Sequence, residues 1–89
     1  MSDYLIQLEE PLQHGEEIIT EVVFQTPRVK HLLEFDKETG EYAGFLRFLS
    51  ALAGLPPKVL GQMTLKDMQQ AKALFADFLP EAPENSEEL

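Results

Sequence analysis

The chain contains no cysteine, which excludes disulfides and thiolate metal sites and removes redox usage as a guide to compartment. It has no apolar run long enough to resemble a signal peptide near its start, since residues 4–8 are too few. On that ground a soluble intracellular protein is expected. Residues 1–26 carry six acidic side chains and no Lys or Arg, and residues 80–89 carry four acidic and no basic ones. Positive charge is confined to residues 27–79, where seven basic side chains meet six acidic ones. With a net charge of −9 there is little with which to hold phosphates, so nucleic-acid binding is not expected. The plain reading of this charge is solubility, because acidic chains repel one another.

Eighty-nine residues make one small domain. A chain of this size buries roughly 60–65% of its unfolded surface, so every element must contribute to a single core. The centre of that core is residues 41–54. Tyr42, Phe45, Leu46, Leu49, Leu52 and Ala53 follow helical spacing, and Phe48 widens their face. Ala43, Gly44, Arg47, Ser50 and Ala51 form a small-residue side, so the helix can be covered from two directions. Arg47 and the glycines make it unfit to span a bilayer.

Around it the chain reads in order. Residues 3–8 alternate as a short strand, and residues 9–17, with Pro11 and Gly15, read as a loop. Residues 18–24 are rich in β-branched side chains and form a second strand, with Ile18, Thr20, Val22 and Phe24 on one face. The two make an antiparallel hairpin that must lie on helices to be stable. Thr26 and Pro27 suit the N-cap and first position of a helix whose buried stripe is Val29, Leu32 and Leu33. Arg28, Lys30, His31 and Glu34 then point outward. Residues 36–40 are a polar loop, Gly54 ends the central helix and Pro56-Pro57 block it. Residues 58–62 form one helical turn. Thr64 caps a last helix striped by Leu65, Met68, Ala71, Phe75 and Leu79, and Asp67 completes a weak capping-box pattern. The expected fold class is α+β: an N-terminal antiparallel β-hairpin packed on three main α-helices plus a short helical turn. The domain runs over residues 1–79, and residues 80–89 are expected to be a disordered acidic tail.

Few residues carry chemistry. His14 and His31 have no second histidine at ligand spacing and read as solvent-exposed. Glu9-Glu10 and Glu16-Glu17 are sequence neighbours whose side chains diverge, whereas an acid–base pair needs convergence in an apolar cleft. Ser50 has no glycine elbow, and residues 40–44 lack a phosphate-loop pattern. Met63 and Met68 read as core in preference to an adaptable groove. No catalytic residue, cofactor or metal is expected. Arg28, Lys30 and His31 cluster near a helix N-terminus, where cations gain nothing from the helix dipole. They read as a solvated face or, functionally, as the contact for an acidic patch on a protein partner, and they are the candidate protein-binding residues.

The order of these features resembles a known family. Leu8-Glu9-Glu10-Pro11, Gly15, the run ITEVVF at residues 19–24 and Pro27 look like the opening of the small tail assembly chaperones of contractile-tailed, Mu-like or P2-like bacteriophages. Leu49, Leu52, Gly54, Leu55 and Pro56, then Leu65 and Asp67 opening the final helix, are similar to the family's second half. The likeness covers residues 8–79. It implies a non-enzymatic protein of the host cell cytoplasm, absent from the mature virion. Such a protein binds the tape measure protein, the tail tube protein, or both, without nucleic acid or membrane, and a homo-oligomer stays open. The resemblance supplies no catalytic residues. The alternative is a small acidic adaptor or inhibitor. A helical DNA-binding protein, suggested by the turn at residues 55–64, is opposed by the charge.

Overall fold

The computed structural model describes residues 4–77. Strands β1 (Leu5–His14) and β2 (Glu17–Val23) form a two-stranded antiparallel sheet. Gly15 turns the chain at φ +65°, a left-handed conformation open to glycine at no steric cost. Near the turn Leu12, Gln13 and His14 pair with Ile19, Ile18 and Glu17, while at the open end Leu5, Ile6 and Gln7 pair with Val23, Val22 and Glu21. Between these two sets, residues 8–11 stand opposite Thr20 alone. Pro11 sits in this bulge, where its missing N–H costs no ladder bond.

Two expectations change here. The segment read as a loop at residues 9–17 is mostly strand, and only Gly15 and Glu16 turn. The bulge also resets which side chains face inward: Ile19 turns toward the core and Ile18 is exposed, while Val22 and Phe24 stay buried. A shift of one residue moves a strand's side chains to the other face, so Ile18 does not share a side with Val22.

Four helices follow: α1 (Val29–Phe35), α2 (Glu41–Ala53), α3 (Pro57–Leu60) and α4 (Leu65–Leu74). The architecture is α+β, with the hairpin on one side of the helices. Helix α2 buries Phe45, Phe48, Leu49 and Leu52, the face its periodicity marks. Gly54 ends it at φ +71°, and the N–H groups of Gly54 and Leu55 both donate to the Ser50 carbonyl, closing the helix end. Ser50, on the small-residue side, is buried as well, and its hydroxyl donates to the Leu46 carbonyl at 2.9 Å. Tyr42, expected in the core, is 60% exposed in the first turn of α2, with Lys72 5.6 Å from its ring centroid.

Phe75 joins the layers. Its ring meets Phe24 of the hairpin edge-on at 5.4 Å and Phe48 of α2 edge-on at 5.7 Å, and stacks on Tyr4 at 5.2 Å. Edge-to-face pairs are favoured by the ring quadrupoles, each by about 0.5–1.5 kcal/mol beyond area burial. The stripe of α4 is otherwise shorter than its spacing implies. Ala71 and Phe75 are buried, Met68 is half-buried and Leu65 is 78% exposed. The expected members Phe78 and Leu79, and the acidic tail at residues 80–89, lie outside the described residues.

Candidate functional site

Helix α1 sets the candidate surface. It starts at Val29, with Arg28 in the N-cap position and no side-chain oxygen to cap it, later than Thr26 and Pro27 suggest. The cap is supplied in reverse. The Arg28 backbone N–H donates to His31 Nδ1 at 2.8 Å, and the His31 N–H donates to the Arg28 carbonyl at 2.9 Å. To make this bond His31 folds inward and is only 3% exposed. Burial lowers its pKa from the usual 6.5, and the Lys30 and Arg28 charges act in the same direction, against Glu34. The imidazole is therefore held neutral with Nδ1 as acceptor.

This cap rotates the helix. His31, Leu32 and Phe35 face the protein, and Val29 and Leu33 are 73% and 57% exposed. The expected stripe of Val29, Leu32 and Leu33 is thus wrong at two of three positions, and His31 does not point outward. The reason lies on α2. Gly44 has no Cβ, and one added there would stand 2.8 Å from the Phe35 carbonyl oxygen, so Phe35 docks where no larger residue could lie. Arg47 of α2 holds the same region with 3.0 Å bonds to Glu34 and Glu38. The Glu34 carboxyl is kept below its usual range by hydrogen bonds from Lys37 and Arg47.

Of the three candidate residues, the structure leaves Arg28 and Lys30 at the surface and places His31 beneath them. Among the described residues Arg28, Lys30 and Lys58 make no ion pair, whereas Lys37, Arg47, Lys66 and Lys72 each face a carboxylate; of the three, only Arg28 and Lys30 stand close together in sequence. Beside them Pro27, Arg28, Val29 and Leu32 line a shallow groove of about 400 Å³.

A second groove, of about 250 Å³, lies between α2, α3 and the start of α4. Tyr42, Leu46, Met63, Leu65 and Met68 line it. Both methionines pack against the core, as expected, and also line this groove. Its described lining holds no cation; Lys72 sits 3.9 Å from Glu41 and 5.6 Å from the ring centroid of Tyr42, which lines the groove.

The sheet edges are unequal. Gln13 exchanges backbone bonds with the Gln62 amide at 2.9 and 2.8 Å, Glu9 N–H donates to Asp67 Oδ2 at 2.8 Å, and Gln7 accepts from Gln70 at 3.4 Å. Side chains from the helical half thus occupy the outer edge of β1. Asp67, 0% exposed, is the buried acid that sequence reasoning undervalued. Its N–H donates to Thr64 Oγ1 as expected, but its carboxylate binds β1 and Gln70 instead of closing a capping box. Lys66, the cation a DNA-reading helix would need, lies 3.8 Å from Glu9. Among the described residues no cluster of three metal-ligating side chains occurs, and no helix is long and apolar enough to cross a membrane.

The chain matches the family model described as phage tail assembly chaperone proteins, E, or 41 or 14, over residues 5–80. No curated protein and no solved structure matches it. The matched region opens at the first residue of β1 and takes in both strands and all four helices. By that coverage the chain belongs to the phage tail assembly chaperone family.

Proposed function

We propose that this protein is a tail assembly chaperone of a contractile-tailed phage or prophage of the Mu-like or P2-like kind. It binds the tape measure protein, and tube subunits as a second client, in the host cytoplasm before the tube closes. It does so without catalysis, cofactor or metal. The observation that carries the reading is the family match across the whole described fold. The physical logic agrees with it. A long helical client exposes apolar stripes before assembly, and such stripes associate unless covered. A small partner with a net charge of −9 can cover one while its charge opposes aggregation of the complex. Solvent-exposed Val29, Leu33, Tyr42 and Leu65 offer the apolar contact.

The test is co-expression with the tape measure protein of the same phage or prophage, scored by affinity capture of the chaperone. The expected result is recovery of the client with the chaperone at low salt. If the client is equally soluble alone and no tail protein is captured, the reading gives way to a small acidic adaptor or inhibitor acting on another protein.

A further inference from the structure

We infer that the outward face of α1 is the client-docking surface, and that it takes an amphipathic helix whose apolar stripe is bordered by acidic residues. The inference rests on the chaperone reading and names the surface and the chemistry of its occupant. Three observations combine. First, Val29 and Leu33 are one helical turn apart and both mostly exposed, so they form a short apolar ridge. Second, the ridge is flanked on both sides by unmatched positive charge. Helical rotation of about 100° per residue places Lys30 on one side of the ridge and Leu32 on the other, and Arg28, the extended N-cap residue, lines the groove that Leu32 borders. Neither cation has an ion-pair partner among the described residues. Third, this patch reverses the sign of a chain whose net charge is −9. A second copy would bring the same cations against one another and add its own net negative charge, so self-pairing through this face is disfavoured.

The occupant follows from complementarity. An apolar ridge with a groove beside it accepts side chains at i, i+3 and i+4 of a helix. Cations on both borders select acidic residues on both borders of that helix, and penalise basic ones. The groove at Tyr42 and Met68 lacks this selectivity, because no charged side chain is among its described lining residues. The surface is also held in place: the inward His31 cap, the Phe35 contact on Gly44 and the Arg47 bonds fix α1 on α2. Docking therefore needs no reordering of the helix, which keeps the cost of binding low.

The experiment has two arms. In the first, the full chain carrying Val29→Ser/Leu33→Ser, or Arg28→Glu/Lys30→Glu, is co-expressed with the tape measure protein. Urea midpoints confirm folding, which exposed positions leave intact. The expected result is a fall of about tenfold or more in captured client for each pair, as for central contact residues. Capture by the wild type that both variants retain would overturn the surface while leaving the chaperone reading standing. Failure of the wild type to capture any client would sink the chaperone reading. The second arm then decides the surface alone. An isotope-labelled wild-type chain is titrated with a synthetic leucine-striped helix of about 18 residues, five turns long, bordered by glutamates or by lysines. Amide shifts confined to α1 with the glutamate-bordered helix, and transferred to the lysine-bordered one by Arg28→Glu/Lys30→Glu, support the inference. Shifts elsewhere, or none, overturn it.

Discussion

Asp67 is where the two halves of the fold are tied, and its removal has a calculable cost. The carboxylate is 0% exposed and accepts from Glu9 N–H at 2.8 Å and from the Gln70 amide at 3.1 Å. A hydrogen bond to a charged acceptor contributes about 1.5–3 kcal/mol, and a buried donor left unmatched costs about 1–3 kcal/mol. Gln70 is exposed and can turn to water, so its share is small. The bond from the Glu9 N–H is the shorter of the two, 2.8 Å, and ties β1 to α4, so it carries most of the loss. Asp67→Ala is therefore expected to cost about 2–3 kcal/mol in all. For a domain of this size each kcal/mol shifts the melting temperature by about 4–8 °C, so a fall of about 10–20 °C is expected. Asp67→Asn keeps one acceptor and should lose about half as much. Urea and thermal unfolding followed by circular dichroism read the total, and amide exchange at Glu9 reads the local bond. An alanine variant within about 0.5 kcal/mol of wild type, the range of an ordinary surface change, would refute the reasoning, as would unchanged protection at Glu9.

Three further outcomes are expected. Leu49 is fully buried on α2, and Leu49→Ala should cost about 2–5 kcal/mol; an unchanged urea midpoint would contradict the assigned face. Gly44→Ala would gain about 1 kcal/mol in an open helix, but its Cβ would meet Phe35 oxygen at 2.8 Å, and overpacking of about 1–3 kcal/mol should make the variant less stable; a raised midpoint contradicts this. His31 has a folded-state pKa below its usual 6.5, so its contribution is complete above that value and is lost as pH falls through the folded value. His31→Gln should accordingly lose less stability than wild type between about pH 7.5 and pH 5, and an equal loss in both proteins would contradict the cap.

Local pattern made much of this fold legible. Phe45, Phe48, Leu49 and Leu52 mark the inward face of α2, Gly54 marks its end, and Thr64 caps α4. These features depend on residues close in sequence. The misreadings depend on partners far away. β1 looks like a loop after Leu8 because Pro11 and the bulge break its alternation before residues 12–14 pair across the turn, and because the outer-edge bonds that hold it come from Gln62, Asp67 and Gln70, some fifty to sixty residues on. The phase of α1 is set by a histidine that caps from within and by a glycine on another helix. A hydrophobicity pattern counts His31 as polar and Val29 and Leu33 as core, so it inverts the helix. The candidate site was half legible for the same reason: Arg28 and Lys30 announce a cationic spot, but the apolar ridge between them emerges only once α1 is rotated. Tyr42 and Leu65 match a core stripe in spacing, yet each stands in the first turn of its helix and is exposed.

As proposed, this chain keeps a tail protein soluble by covering its apolar surface. Cell-free synthesis of the tape measure protein with increasing amounts of the purified chain, followed by centrifugation, tests this without further steps. The pelleted fraction is expected to fall as the chain is added and to level off at a fixed ratio of chaperone to client. A pelleted fraction unchanged at large excess of the chain would contradict it.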